Sequence, residues 1–126
     1  MKFSTKAEYG LRAIVELAKS KAPVSLASIA RQEGLSLAYL ERLFASLKRA
    51  GLVNSFKGLR GGYTLTRSAS DISVAEIIIA LEGSLYEIKC GGCLVCGCNV
   101  HSVWDKLYKQ IYQTLNSITL KSLIKK

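Results

Sequence analysis

Apolar residues along this chain recur mostly at steps of three and four, the period of a helix with one buried face. In residues 5–20, Leu11, Ile14, Val15 and Ala18 make such a face, which predicts a first helix. Pro23 and Val24 break it. Ser25 is placed to cap a short second helix that runs to Glu33 and stops at Gly34. Leu40, Leu43, Phe44 and Leu47 define a third helix, with Ser36 as its N-cap and Gly51 in the left-handed position past its end. At Val53 the pattern changes. Val53 to Phe56 is short and apolar like a strand, Lys57 to Gly62 make a basic, glycine-rich turn, and Tyr63 to Leu65 return as the partner strand. Ser73 with Glu76 three residues on is a capping box for a helix carrying Ile77, Ile78, Ala80 and Leu81 and ending at Gly83. Farther on, His101 to Ser117 form a long helix with Val103, Leu107, Ile111 and Leu115 at four-residue steps. Val100, Trp104, Tyr108 and Tyr112 widen its apolar stripe, and Thr119 is placed to cap a last turn through Ile124.

Helix, tight turn and helix over residues 25–50, followed by a hairpin, is the layout of a DNA-reading unit. The expected fold is mostly α with a small two-stranded wing: a winged helix-turn-helix plus a long C-terminal dimerisation helix. Residues 1–82 would be the DNA-binding domain, 83–99 a cysteine-rich loop, and 100–126 the dimerisation helix and C-terminal turn. Ala38, Tyr39, Glu41, Arg42, Ser46 and Arg49 fall on or beside the outer face of the third helix, with Ser36 at its start. The long helix has more apolar surface than a small winged helix can cover. Val103, Trp104, Leu107, Tyr108, Ile111 and Leu115 are therefore expected to pair with a second copy, against the plainer reading of ordinary core. A two-fold dimer would set two reading helices about one DNA turn apart, roughly 34–36 Å.

Charge supports a nucleic-acid partner. The chain carries a net charge of +9 over 126 residues. Residues 31–67 hold seven Lys or Arg against two Glu, a net +5, whereas residues 68–126 contribute only +1. The excess thus sits on and before the presumed reading head, where neutralising phosphates would release counterions. A membrane surface also attracts such charge, but here the basic residues follow a helix and hairpin rather than a juxtamembrane run. No apolar run approaches the length of a membrane span, and MKFSTKAEYG lacks the apolar stretch of a secretory signal. A cytoplasmic protein is expected. An enzyme is not: there is one histidine, no paired-carboxylate motif, no P-loop and no dinucleotide fingerprint.

The four cysteines, Cys90, Cys93, Cys96 and Cys98, stand within nine residues, and His101 follows three residues later. In a cytosolic chain such bunching points to metal binding or redox sensing before structural disulfides. Thiolates are soft ligands for zinc, copper(I) or iron–sulfur clusters. Cys90, Cys93 and Cys96 imitate the spacing of a ferredoxin, without its distant fourth cysteine and proline. C-x2-C knuckles also suit zinc, so chemistry alone leaves iron–sulfur and zinc level. His101 is either a further ligand or simply a helix-start residue.

Taken together, MKFSTKAEYGLRAIVELA, VSLASIARQEGLSLAYLERLFASLKRAGLV, the GLRGGY wing, ISVAEIIIALEG and the tail CNVHSVWDKL…SITLKSL resemble the dimeric winged-helix regulators that include IscR, NsrR and CymR. The similarity covers essentially the whole chain. It implies a bacterial transcription regulator, often a repressor, that reads double-stranded operator DNA as a homodimer. In cluster-bearing members three loop cysteines hold an iron–sulfur cluster and the fourth ligand varies. Cys98, His101 and Trp104 match an IscR-like C-x2-H-x2-W run, which favours a [2Fe–2S] cluster over [4Fe–4S] or zinc. Other members use an acidic residue of the first helix, supplied by the partner subunit. Glu8 occupies that place, although Thr5 and Glu8 also read as a capping box. The loop departs from the IscR-like pattern, being shorter and carrying four cysteines. In the reading helix Glu41 matches a position that tunes sequence choice, while Ala38 and Arg42 replace polar residues. Lys57 and Arg60, with Gly61, match the basic wing. CymR-like members imply the alternative: a zinc or metal-free loop, with control by a protein partner or by thiol oxidation.

Overall fold

The computed structural model describes residues 4–57, 61–83 and 99–124. In chain order these form α1 (Thr5–Ala18), α2 (Leu26–Glu33), α3 (Leu37–Arg49), β1 (Val53–Phe56), β2 (Gly62–Leu65), α4 (Val74–Glu82), α5 (Asn99–Asn116) and α6 (Leu120–Leu123). The mostly helical fold with a two-stranded wing is as expected from the apolar pattern.

At α1, α2, α3, α4 and α6 the helix start is written in a side chain that satisfies an orphan N–H of the first turn. Ser25, Ser36 and Thr119 accept from Ser28, Tyr39 and Ser122 respectively. Gly34 closes α2 in the left-handed region at φ 69°. At α4 the full capping box forms. Ser73 Oγ accepts from the Glu76 N–H, and Glu76 accepts from the Ser73 N–H at 2.9 Å. At α1 the expected box of Thr5 and Glu8 does not form. The N-cap is Ser4, whose hydroxyl accepts from the Lys6 N–H, and Thr5 is already the first helical residue. A second acid supports this end: Glu82, in the last turn of α4, accepts from the Ser4 hydroxyl and from its N–H at 3.3 Å. A carboxylate there also complements the positive end of the helix dipole.

The core is one main cluster into which α1, α2, α3 and α4 each send their apolar face. Phe44, Ile14, Leu17, Ile29, Leu40, Leu47, Ile72 and Ile77 are fully buried. The face of α1 is rotated from the expected one. Ile14 is central, but its companions are Ala7, Gly10, Ala13 and Leu17, while Leu11, Val15 and Ala18 are only half-buried at the rim. Small residues face α4, and a Cβ built at Gly10 would lie 2.4 Å from the Leu81 side chain. α1 ends at Ala18, short of residue 20, and α5 begins at Asn99, two residues before His101.

The wing strands pair antiparallel in the register Val53–Leu65, Asn54–Thr64, Ser55–Tyr63 and Phe56–Gly62. Val24 adds an isolated antiparallel bridge to β2, exchanging both backbone hydrogen bonds with Tyr63 at 3.0 and 2.8 Å. Gly62 permits this approach, since a Cβ there would sit 2.6 Å from the Val24 carbonyl oxygen. The C-terminal turn joins the main core as well. Leu120 is fully buried, its N–H donates to the Ile72 carbonyl at 2.8 Å, and Ser73 bridges Thr119.

Glu76 supplies a test of this frame. Burial pushes its carboxyl up, but the Ser73 N–H and Arg67, 2.9 Å away, outweigh that and hold it below the ordinary value of 4.5. The unfolded chain therefore takes up this proton at a higher pH than the native one. The stabilisation is complete above that ordinary value and is lost as pH falls through the lowered native value. Glu76→Gln keeps the geometry of the cap without the charge. Its stability deficit against wild type, measured by denaturant titration, should be present at pH 7 and shrink as pH falls below the ordinary carboxylate value and through the lowered native one. Ser73→Ala, which removes the cap itself, should cost about 1 kcal/mol at neutral pH. An unchanged unfolding midpoint in Ser73→Ala would contradict the capping account.

Candidate nucleic-acid interface and cysteine loop

Ser36 caps α3 three residues after α2 ends, with its hydroxyl 3.1 Å from the Tyr39 nitrogen. Burial of Leu40, Leu43, Phe44 and Leu47 fixes the rotation of α3 about its axis. Ala38, Glu41, Arg42, Ala45, Lys48 and Arg49 are then exposed together on the opposite side. Of the residues expected to meet DNA, Ser36, Ala38, Glu41, Arg42 and Arg49 are on this accessible surface. Tyr39 is different. It is half-buried, meets the Tyr9 ring edge-on with centroids 6.4 Å apart, and carries the Arg42 guanidinium 5.8 Å above its own ring.

Lys48 was missed by the sequence pattern. It lies seven residues after Glu41, two helical turns along the same face, so the heptad spacing carried the signal. Its Nζ donates to Ser55 Oγ on β1 at 2.7 Å and ties reading helix to wing. Phe44 does the same from inside, meeting the Tyr63 ring edge-on at 5.1 Å. Arg49 donates to Ser46 Oγ at 3.2 Å, which holds its guanidinium along the helix. Arg67, part of the local positive excess, is exposed but engaged by Glu76 and the Asp71 carbonyl. The outward charge is thus that of Arg42, Lys48, Arg49 and Lys57, beside the single exposed acid Glu41 on this face. Lys57 is exposed at the end of β1 and Gly61 is half-buried at the start of the return, whereas Arg60 lies outside the described residues.

Cys90, Cys93, Cys96 and Cys98 also lie outside the described residues, and so does the side chain of His101. The segment that carries the cysteines lies in sequence between Gly83, after α4, and Asn99, the first residue of α5. The donor set of four thiols and one imidazole in twelve residues suits a soft metal or an iron–sulfur cluster by its chemistry. Among the described residues no group of His, Cys, Asp and Glu could hold a metal ion. Glu8 is exposed on the outer side of α1.

The expected dimerisation stripe divides in two. At the start of α5, Val100, Val103, Trp104 and Leu107 are 59, 58, 50 and 40% exposed. Farther along, Tyr108, Ile111 and Leu115 are half-buried, and Leu115 packs within its own subunit against Ala7, Val74 and Ile78. No described helix is long and apolar enough to cross a membrane.

Comparison with known proteins places this geometry. The family model Rrf2, described as an iron-dependent transcriptional regulator, matches residues 3–126. The helix-turn-helix regulator IscR of Vibrio atlanticus is 42% identical over 99% of this chain and 76% of its own length. Among solved structures, T. potens IscR is 45% identical, with a TM-score of 0.81, covering 98% of this chain and 86% of that one. CymR, the global cysteine regulator of B. subtilis, is 36% identical, with a TM-score of 0.85, covering 98% and 96%. The chain belongs to the Rrf2 family of helix-turn-helix transcriptional regulators.

Proposed function

We propose that this regulator binds operator DNA as a cytoplasmic homodimer, and that an iron–sulfur cluster held by its cysteine loop sets the binding. The observation that carries the DNA part is the outward face of α3. Arg42, Lys48 and Arg49 are exposed there, and the adjacent wing is locked to the same helix by Lys48–Ser55 and Phe44–Tyr63. Arg42 and Glu41 are placed to meet base edges in the major groove, and Lys57 and Arg60 to hold phosphates or enter the minor groove. The exposed start of α5 supports the dimer, since a contiguous apolar patch on a charged protein marks an interface.

The sensor part rests on the loop's donors. Cys98 with two of Cys90, Cys93 and Cys96 would supply thiolates, and His101 the fourth ligand, with Glu8 of a partner subunit as a lesser candidate. A [2Fe–2S] cluster is favoured by the Cys98, His101 and Trp104 spacing and by the likeness to IscR. The loop connects α4, which packs on α3, to α5. Ordering it can bias the spacing of two reading heads, by no more than the difference in affinity between the two arrangements. The likeness to CymR supports a second reading, in which the loop holds zinc or no metal and a protein partner or thiol oxidation exerts control.

Three measurements test these assignments. In the first, Lys57→Ala with Arg60→Ala should weaken operator binding and reduce the slope of log K against log salt by about two. Unchanged affinity and slope would remove the wing from the interface. In the second, Trp104→Ala with Leu107→Ala should raise the dimer dissociation constant at least about tenfold, or about 1.4 kcal/mol, in sedimentation. A folded variant that stays fully dimeric would rule out this stripe. In the third, anaerobic reconstitution with iron and sulfide should give a coloured protein with altered operator affinity, and Cys98→Ala should lose the colour. A colourless product with stoichiometric zinc and iron-indifferent DNA binding would favour the second reading.

A further inference from the structure

Arg42 does not stand free on the reading helix. Its guanidinium lies 5.8 Å above the Tyr39 ring, one turn earlier on α3. Tyr39 is also held by the first turns of α1. Tyr9 meets it edge-on, and its hydroxyl reaches Thr5 Oγ1 at 3.5 Å. Ser4, next to Thr5, is bound through both its hydroxyl and its N–H to the Glu82 carboxylate. Glu82 is the last residue of α4, and the cysteine loop starts beyond the next residue, Gly83. A set of contacts therefore runs from the end of α4 to an exposed side chain on the outer face of α3.

We propose that Tyr39 is a positioning residue for Arg42, and that the first turn of α1, tied by Ser4 to Glu82, sets where Tyr39 holds it. Tyr39 then contributes to DNA binding through Arg42 rather than by its own contact. The physical reason is specific. A cation over an aromatic face is attracted to the ring quadrupole, which restricts a long, otherwise mobile side chain before DNA arrives. A shift of the Glu82 carboxylate moves the N-cap of α1, and with it the two groups that hold the ring. The inference rests on the DNA-binding reading and adds to it a route by which the loop's root reaches the reading head. Adjacency alone does not establish coupling, but a double-mutant cycle measures it.

The test uses a duplex selected from a random pool by the full-length wild-type protein. Affinities are compared for Tyr39→Leu and Glu82→Ala, each made in the wild-type and in the Arg42→Ala background. In the wild-type background Tyr39→Leu should weaken binding about three- to fivefold, the size of one partly exposed cation–π contact. Glu82→Ala should weaken it about twofold or more. Tyr39→Phe, which keeps the ring, should restore most of the Tyr39→Leu loss. With Arg42 already removed, both effects should collapse to less than about 1.5-fold, because nothing is left for them to position. Equal losses in both backgrounds would mean that Tyr39 and Glu82 act only through general stability or direct contact, and would overturn the proposal while leaving DNA binding intact. Failure of the wild-type protein to select any duplex would overturn the DNA reading, and this proposal with it.

Discussion

The rest of the molecule depends on the burial of one face of α3. Leu40, Phe44 and Leu47 are fully buried and Leu43 nearly so. Truncating any one of such side chains to alanine costs about 2–5 kcal/mol, comparable with the whole stability of a small domain. The helix therefore has one rotational setting. With 100° between successive residues, that setting decides that Glu41, Arg42, Lys48 and Arg49 share the outer face. The same face aligns the wing, because Phe44 is both a core residue and the edge-on partner of Tyr63. Reading helix and wing are thus one rigid object, and the geometry that DNA would meet is set by hydrocarbon packing rather than by the charges that would touch it.

The ends of the chain are built into the same frame. The Ser73–Thr119 bridge and buried Leu120 bring the C-terminal turn back against the segment that precedes α4. α5 must therefore begin away from the core and return to it. Its later half does so through Leu115, while its first turns carry Val100, Val103, Trp104 and Leu107 without cover from the described residues of its own chain. At roughly 25 cal/mol for each Å² of apolar surface removed from water, covering those four side chains is worth several kcal/mol. Among the described residues nothing supplies that gain, so it falls to a partner surface or to a segment outside them.

Most of this was legible in the sequence, for a local reason. N-caps, left-handed glycines and the step of three or four are properties of a few neighbouring residues. Ser25, Ser36, Ser73, Thr119 and Gly34 therefore announce their elements correctly. What was not legible depends on partners far along the chain. The inner face of α1 is misjudged because Leu11 and Val15 are more apolar than Gly10 and Ala13, yet close packing against Leu81 selects the small residues. Ser4 replaces Thr5 as the cap because Glu82, 78 residues away, supports it. Val24 reads as a break and becomes a bridge to β2 only because Gly62 leaves room. In the candidate interface the exposed face was legible, whereas the pairing of Arg67 with Glu76 and the engagement of Tyr39 by Tyr9 were not, since each needs a tertiary neighbour.

Tertiary neighbours of this kind also bear on how such a regulator can respond to a signal. A well-packed core transmits displacement, since its contacts leave little room for independent adjustment. α4 packs on both α1 and α3, and the carboxylate of its last residue accepts from Ser4, the N-cap of α1. A change at the end of α4 is therefore shared between the two helices that hold the reading face. The polar ties along this route, Ser4 to Glu82 and Tyr39 to Thr5, are exposed to solvent. Exposed hydrogen bonds contribute little net stability, so they can be rearranged without threatening the fold. The buried apolar face of α3 cannot. At the end of α4, contacts of the first kind thus rest directly on contacts of the second.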